Sequence, residues 1–321
     1  MKKALKITGI TLASIIGLAL IVVVVALAMV TSSGRLTKMV KKYAPQFVNC
    51  EMQLGKADLT LFKTFPNVGI DIENVALINP MEGSPSDTLA NIDNLIVVID
   101  ANKFLKEKEI AVRKCILEDA FVNLYTDSIG NTNLNVFNTK EDNDTTKSTF
   151  DYLVDIEEVK LKNSTVFYTD DRNGMSAQAQ GLFLDLKGKM KDKDIDADLT
   201  LNANDLSLKM KAIQLALKAL DLGFDGNIAQ MDQINGTLKL ATPDISLALK
   251  EPYLENDTLQ LNLPLQFGLS TLKGHLNEAQ IGLNHYLINV NGDAEMANNG
   301  DINLDLALNT NTLMIEDVLT Y

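Results

Sequence analysis

The chain has 321 residues and a formal net charge of -13, with 29 Lys and Arg against 42 Asp and Glu. This excess of negative charge repels polyanions, so nucleic-acid binding is excluded as the main function. The hydrophobic fraction of 46% comes with only 6% aromatic residues and no Trp, so the apolar content is aliphatic.

The N-terminus carries the strongest local signal. Residues 7–30 contain no charged side chain and are long enough to cross the roughly 30 Å hydrocarbon core of a bilayer as a helix. We predict a transmembrane anchor over residues 1–31. The alternative is a cleavable signal peptide, because Lys2, Lys3 and Lys6 form a basic leader and residues 26–28 are small-x-small. Both interpretations export the remainder, and the short basic leader predicts a cytoplasmic N-terminus.

A short amphipathic helix is predicted next, within residues 32–47. Leu36, Met39, Val40 and Tyr43 recur at helical spacing, and Pro45 ends the pattern. Two roles stay open for this helix: it packs its apolar stripe against the first strands, or it lies on the outer leaflet with its basic residues on anionic headgroups. The candidate membrane-surface residues are Arg35, Lys38, Lys41 and Lys42.

From Val48 onward the apolar pattern changes to a period of two, which is typical of antiparallel strands with one apolar and one wet face. The alternating runs are Val48/Cys50/Met52/Leu54, Val68/Ile70/Ile72, Val159/Leu161, Ile195/Ala197/Leu199, Leu259/Leu261/Leu263/Leu265 and Ile302/Leu304/Leu306/Leu308. Turn-forming residues predict hairpins at residues 129–131, 172–174, 235–236 and 298–300. A short helix is predicted over residues 102–108.

Residues 138–148 are polar, lack apolar periodicity and predict an exposed linker. The linker separates a first β-region, residues 48–137, from a continuing β-region, residues 149–321. Residues 110–127 resemble residues 156–170, and each stretch is predicted to form a strand, a short polar turn and a second strand. This internal repeat indicates a sheet extended by similar units.

Three stretches, residues 55–79, 92–105 and 110–133, resemble the N-terminal region of AsmA-like proteins. In that family a strand, a Phe-Pro turn and a glycine before the next strand lead to an ending with Asp, Gly and Asn at fixed spacing. The matching residues are Phe65, Pro66, Gly69, Asp127, Gly130 and Asn133. Residues 263–319 resemble a later region of AsmA-like sequences, but more weakly. The chain stops without the long further body of many relatives, so the resemblance implies a short member or a fragment.

AsmA-like proteins are anchored in the inner membrane, project into the periplasm, and are similar to chorein-type and TamB-type bridge proteins whose curved sheets hold lipid tails. The resemblance therefore implies a mainly β fold, in which the transmembrane helix and the amphipathic helix precede an extended, curved, groove-like antiparallel sheet. It also implies phospholipid as a partner, with a role in lipid transport and outer-membrane biogenesis. The groove candidates are Ile70, Ile72, Leu95, Val97, Ile99, Val112, Leu117, Val159 and Leu161.

Two alternatives to this interpretation stay open. The apolar face could close on itself as a dry sandwich core. The protein could then be a non-enzymatic scaffold or assembly factor for outer-membrane proteins or lipopolysaccharide, which binds a protein partner along a sheet edge.

Sequence motifs for catalysis, cofactors and metals are absent, so we predict a protein that is not an enzyme and has no cofactor. His275 and His285 stand ten positions apart without a zinc-binding pattern. Cys50 and Cys115 show no spacing that favours or excludes a disulfide. The alternating acidic residues of 192–198 and 301–305 lack the glycine and glutamate of a calcium loop, and are interpreted as wet strand faces.

Overall fold

The computed structural model of the protein describes residues 34–60, 64, 67–100, 110–134, 136, 152–191, 193–249, 251–296 and 301–310. Helix α1 spans Arg35–Tyr43 and continues into a 3₁₀ helix, Ala44–Phe47. The strands are β1 Met52–Gln53, β2 Ala57–Thr60, β3 Val68–Ile78, β4 Thr88–Ile99, β5 Ile110–Thr126, β6 Tyr152–Asp170, β7 Met175–Lys191, β8 Asp194–Met210, β9 Ile213–Ala229, β10 Gln233–Ala248, β11 Pro252–Gly268, β12 Lys273–Leu283, β13 Tyr286–Met296 and β14 Ile302–Thr310.

All of these strands belong to one open sheet. Strands β1 and β2 both pair with β3, and from β3 to β14 each strand pairs with the next in chain order. The prediction of a mainly β, curved sheet is confirmed. The prediction that it is wholly antiparallel is wrong, because β5 and β6 are parallel. Parallel neighbours need a crossover connection. The predicted turn at 129–131 does reverse the chain, since Thr126 and Thr132 form an antiparallel bridge, but it joins no two neighbouring strands of the sheet.

The two similar stretches of sequence lie side by side as β5 and β6, with Leu117 facing Leu161. Each stretch is one continuous strand, so the polar turns predicted inside them are wrong. The polar residues are β-bulges instead: Asp119 and Asn163 have φ angles of 52° and 49°, and Asn163 Nδ2 donates to Asp119 Oδ1 at 2.5 Å. A bulge absorbs one extra residue and bends the strand without ending it.

Bulges cross the sheet from β3 to β11 at the same level, which we call the bend line. The strand pairing is interrupted at least once between every pair of neighbours from β3 and β4 to β12 and β13. Along this line the bulge residues with positive φ are Asn74, Asp119, Asn163, Gly181, Ala219 and Asn256. Glu278 of β12 also has a positive φ, but it bulges at another level, opposite the stretch between Asn262 and Leu265 of β11. Because each bulge on the line bends its strand in the same place, the sheet as a whole bends along this line.

The bend is directed toward the apolar face of the sheet. Apolar-face residues beside the bend line are buried, among them Val75, Ala120, Leu182, Leu217 and Ile245. Lys218 and Ala219, at the same level on the other side, are exposed. Helix α1 covers Val75, whereas over Leu182 and Leu217 no second sheet lies on the apolar face in the described residues, so their burial comes from the bend. The result is a trough with a buried floor and two apolar walls.

Two further predictions about turns and strands are wrong. Asn235 and Gly236 lie within β10 and form no turn. Gly236 instead allows a close approach, because a Cβ there would lie 2.8 Å from the Phe224 ring. The alternating run from Val48 to Leu54 contributes only the two-residue β1, since the chain at Val48 packs onto the sheet and does not extend it.

Several predicted elements lie outside the described residues: the membrane span at 7–30, the helix at 102–108, the linker at 138–148 and the turn at 298–300. Among the described residues, no helix is long and apolar enough to cross a membrane. The predicted hairpin turn at 172–174 joins β6 to β7, as expected.

Candidate functional site

The trough is lined by unbroken rows of apolar residues that run across the strands. In the first row, each residue is the direct cross-strand partner of the next, from β3 to β13. Its members are Ile72, Leu95, Leu117, Leu161, Leu184, Leu201, Leu222, Leu240, Leu261, Ile281 and Ile288. Cross-strand partners point to the same face of a sheet, so this row forms a continuous apolar stripe.

A second row runs beside the first, two residues further from the bend line. Its members are Ile70, Val97, Cys115, Val159, Leu186, Leu199, Phe224, Leu238 and Leu263. Apart from the buried Ile72 and the exposed Leu186, the residues of both rows are half-buried. Half-burial distinguishes this wall of the trough from a closed core, because the side chains remain accessible from the open side.

The structure brings all nine predicted groove candidates onto this one face. Ile72, Leu95, Leu117 and Leu161 belong to the first row, and Ile70, Val97 and Val159 belong to the second. Ile99 and Val112 face each other one step further along. The predicted candidates therefore form a contiguous surface on β3 to β6.

The second half of the trough, on β7 to β13, was missed among the predicted candidates. Its signal was present in the sequence, since the alternating runs at Ile195 and at Leu259 lie in β8 and β11. Sequence alternation identifies the apolar face of each strand. Only the register shows that these faces join one row, because the pairing of neighbours determines which leucines meet.

One end of the trough, at β1 to β5, is covered; we call it the capped end. Leu36 and Val40 of α1 pack against Ala57, Ile72 and Val75. Packing against the first strands is thus confirmed for the amphipathic helix. Its basic candidates Arg35, Lys38, Lys41 and Lys42 are exposed.

A hydroxyl group fastens α1 to the edge of the sheet. Thr37 Oγ1 accepts a hydrogen bond from Ala57 N at 3.0 Å and donates one to Ala57 O at 3.1 Å. Both backbone groups of Ala57 are thereby satisfied at the point where the edge strand β2 begins.

The Asp, Gly and Asn ending seen in the sequence completes the capped end. Asp127 Oδ1 accepts hydrogen bonds from Ile129 N and Asn131 N, and Gly130 adopts a φ of 96° in this turn. The buried Asn133 accepts from Tyr125 N and donates to Asn123 O. These contacts hold the returning chain, so that Val136 packs with Val48 and Leu77. The motif is therefore structural.

The other end of the trough, at β12 to β14, finishes in a strand whose apolar face is exposed; we call it the open end. The apolar face of β14 carries Ile302, Leu304, Leu306 and Leu308, which are 62%, 63%, 36% and 67% exposed. No described strand pairs with the outer edge of β14. The apolar stripe thus continues to an uncovered edge.

The opposite, polar face carries a chain of ion pairs near the capped end. Lys160 Nζ lies 2.7 Å from Glu158 Oε1 and 3.1 Å from Asp185 Oδ2, and Lys114 donates to the other oxygen of Glu158. Burial raises the pKa of Glu158, but the hydrogen bonds and charges of Lys114 and Lys160 outweigh it and lower this pKa to about 2. Glu158 is therefore a fixed charge that ties β5 to β6.

The candidate reactive groups of the sequence are dispersed. Cys50 and Cys115 are free thiols, and burial raises the pKa of Cys115 to about 11. His275 pairs with Asp293, while His285 stacks on Tyr286. Among the described residues no three His, Cys, Asp or Glu side chains lie close enough to hold a metal ion.

Comparison with known proteins agrees with this geometry. The model of the AsmA family matches residues 1–191. The chain belongs to the AsmA family. The matched range includes the capped end and the trough through β7, whereas β8 to β14 continue the same sheet beyond it. No curated protein and no solved structure matches the chain.

Proposed function

We propose that this AsmA-family protein binds phospholipid acyl chains along the trough and supports lipid transport and outer-membrane biogenesis without enzymatic chemistry. The observation that carries the proposal is the first row, an unbroken line of half-buried aliphatic residues from β3 to β13 on an open sheet. Aliphatic walls bind acyl chains through area alone, at roughly 0.8 kcal/mol per buried methylene, and leave the headgroup unspecified.

The dimensions of the trough suit such a ligand. With neighbouring strands about 4.8 Å apart, the ten steps from β3 to β13 give a row roughly 48 Å long. One acyl chain spans about half of the roughly 30 Å bilayer core, so the row is about three acyl chains long. The alternative of a closed β core has no support in the described residues, because no second sheet covers the apolar face.

The placement of the protein is part of the same proposal. Residues 7–30 anchor it in the inner membrane with the N-terminus in the cytoplasm, and the sheet lies in the periplasm. Arg35, Lys38, Lys41 and Lys42 are exposed on α1, immediately after this span. They meet anionic headgroups there, each contributing about 1 kcal/mol. The capped end of the trough is then the end nearest the inner membrane.

Site-specific photocrosslinking in living cells tests the lipid ligand. A photoreactive amino acid is placed at Leu201, Leu222 or Leu240, and the matched controls carry it at the adjacent Asn202, Asp221 or Lys239, whose side chains point to the polar face. After irradiation and purification of the full chain, we expect phospholipid adducts by mass spectrometry at the trough positions, at least tenfold above the controls. Equal adducts on both faces, or none, would contradict lipid binding in the trough.

A charge substitution gives an independent check of the same site. Leu201→Asp should strip copurified phospholipid from the full chain, because a carboxylate in the wall disfavours acyl chains. Gln260→Asp adds the same charge to the polar face of β11, opposite Ala241 and Gly282, and should leave the lipid in place. Thermal unfolding of both variants distinguishes loss of lipid from loss of fold. A folded Leu201→Asp variant that retains its lipid would rule out this wall as the binding surface.

A further inference from the structure

The two edges of the sheet are protected differently. One edge consists of the short, separate strands β1 and β2, with α1 packed beside them. The other edge is β14, nine residues long, which contains neither Pro nor Lys and no positive φ. Short strands, edge lysines, prolines and bulges are the usual means by which proteins block edge-to-edge pairing. β14 has none of them, and its apolar face is exposed as well.

The sequence of β14 is complementary to itself in one antiparallel register. When two copies of the strand are centred on Leu306, Leu304 faces Leu308, Leu306 faces Leu306 and Ile302 faces Thr310, all on the apolar face. On the polar face of the same register, Asp305 faces Ala307 and Asn303 faces Asn309. The register uses the full length of β14 and places no two aspartates directly opposite each other.

The two neighbouring registers that also keep the apolar faces on the same side form less favourable strand pairs. Centring the pair on Asp305 puts two carboxylates face to face, and like charges directly opposite each other destabilise a strand pair. Centring it on Ala307 leaves Ile302 beyond the end of the pair. Asp293 already faces Asp305 within the chain, so the polar face of this edge tolerates little additional negative charge.

We propose that β14 pairs antiparallel with β14 of a second copy of this chain, in the register centred on Leu306. The first copy's exposed leucines then cover those of the second, and both sets of edge backbone groups gain hydrogen bonds. The two troughs join into one apolar surface that runs from one capped end to the other. This inference is independent of what the trough binds, because self-association is measured without any ligand.

A charge series at one position tests the register. Ala307→Asp places an aspartate opposite Asp305 twice per dimer, and should raise the dissociation constant of the detergent-solubilised full chain about two- to thirty-fold in sedimentation velocity. Ala307→Lys creates two opposite-charge pairs and should lower the constant by a similar factor. The double variant Asp305→Lys with Ala307→Asp restores opposite charges and should recover self-association lost in Ala307→Asp alone.

A leucine pair supplies the matched control for the apolar face. Leu306→Lys brings two cations together on the twofold axis and should leave the chain monomeric, whereas Leu287→Lys changes an exposed leucine on the polar face of β13 and should leave the dimer unchanged. Circular dichroism verifies that both variants are folded. A chain that is monomeric at all concentrations, or a dimer insensitive to Leu306→Lys and Ala307→Asp, overturns the proposal. A photoreactive amino acid at position 307 checks the partner directly. If it crosslinks in cells to a different protein and not to a second copy of the chain, the proposal is overturned too.

Discussion

The capped end and the open end of the sheet have the same alternating sequence pattern but opposite burial. Val75 and Leu77 on β3 are 1% and 7% exposed, whereas Ile302 and Leu308 on β14 are 62% and 67% exposed. At the capped end, α1 and the segment around Val136 pack onto the apolar face. At the open end the described residues provide no such cover.

This difference shows that alternation specifies which face is apolar and leaves open what covers that face. A strand in which apolar and polar residues alternate is compatible with a closed core, a trough or an exposed sheet edge. The capped end anchors the fold through packing, while the open end keeps its apolar surface available for a lipid or another strand. The capped end is thus the closely packed end of the sheet, and β14 is its exposed end.

The largest expected effect compares one isoleucine at each end. Ile92→Ala should lower the free energy of unfolding by about 2–5 kcal/mol, because it leaves a cavity beside Val75 and Ala120. Ile302→Ala should change it by less than about 0.5 kcal/mol, since its side chain is already exposed. Urea unfolding of the full chain in detergent, followed by circular dichroism, measures both. If both variants lost a similar free energy of unfolding, the capped end would contribute no more to stability than the open end.

An intermediate effect concerns the ion pairs and their pH dependence. The pKa of Glu158 falls from an ordinary value of 4.5 to about 2 in the folded protein, so its ion pairs stabilise the fold fully above about pH 4.5 and cease to do so as the pH falls toward 2. Glu158→Gln should therefore cost about 2–3 kcal/mol at pH 7, and the gap to the wild type should close between pH 4.5 and 2.

The matched control for this prediction is Glu295→Gln at the open end. Lys273 Nζ lies 3.2 Å from Glu295 Oε1, and both side chains are exposed. An exposed pair contributes between about 0 and 1 kcal/mol, because water screens it and the side chains lose entropy. A gap for Glu158→Gln that stays constant down to pH 2 would show that packing, and not charge, accounts for the loss.

The smallest effect concerns the attachment of α1. Thr37→Val removes the hydroxyl that bonds both backbone groups of Ala57, and should lower the free energy of unfolding by about 1 kcal/mol. Thr237→Val, within β10 on the polar face, is the control, and no stability loss is expected there because Val favours strands. Protection of the Ala57 amide in hydrogen exchange should fall in the first variant alone. Unchanged protection would mean that α1 is held by its apolar contacts.

Much of the fold was accessible from the sequence. The period of two identified the apolar face in β3, β6, β8, β11 and β14, and the helical spacing identified α1. The nine groove candidates all lie on the trough face for the same reason. The interpretation of residues 192–198 as the wet face of a strand agrees with the structure too, since Asp194 and Asp196 are exposed on the polar face of β8.

The errors arose where a local signal has two structural meanings. Asn235-Gly236 is a common hairpin turn, yet in β10 the glycine serves close packing against Phe224. Polar residues such as Asn163 mark turns or bulges equally well, because both need a residue with positive φ. The parallel pairing of β5 and β6 has no local signal at all, since it depends on the route of the connection between them.

The sequence by itself determined the strand periodicity, the apolar face of each strand, the amphipathic helix and the resemblance to the AsmA family, because these depend on residue type and spacing along the chain. The tertiary structure alone decided that the bulges align into a bend line, that leucines and isoleucines from eleven strands join one row, and that one end is capped while the other is bare. These features depend on register and on contacts between residues far apart in sequence, which no local pattern encodes.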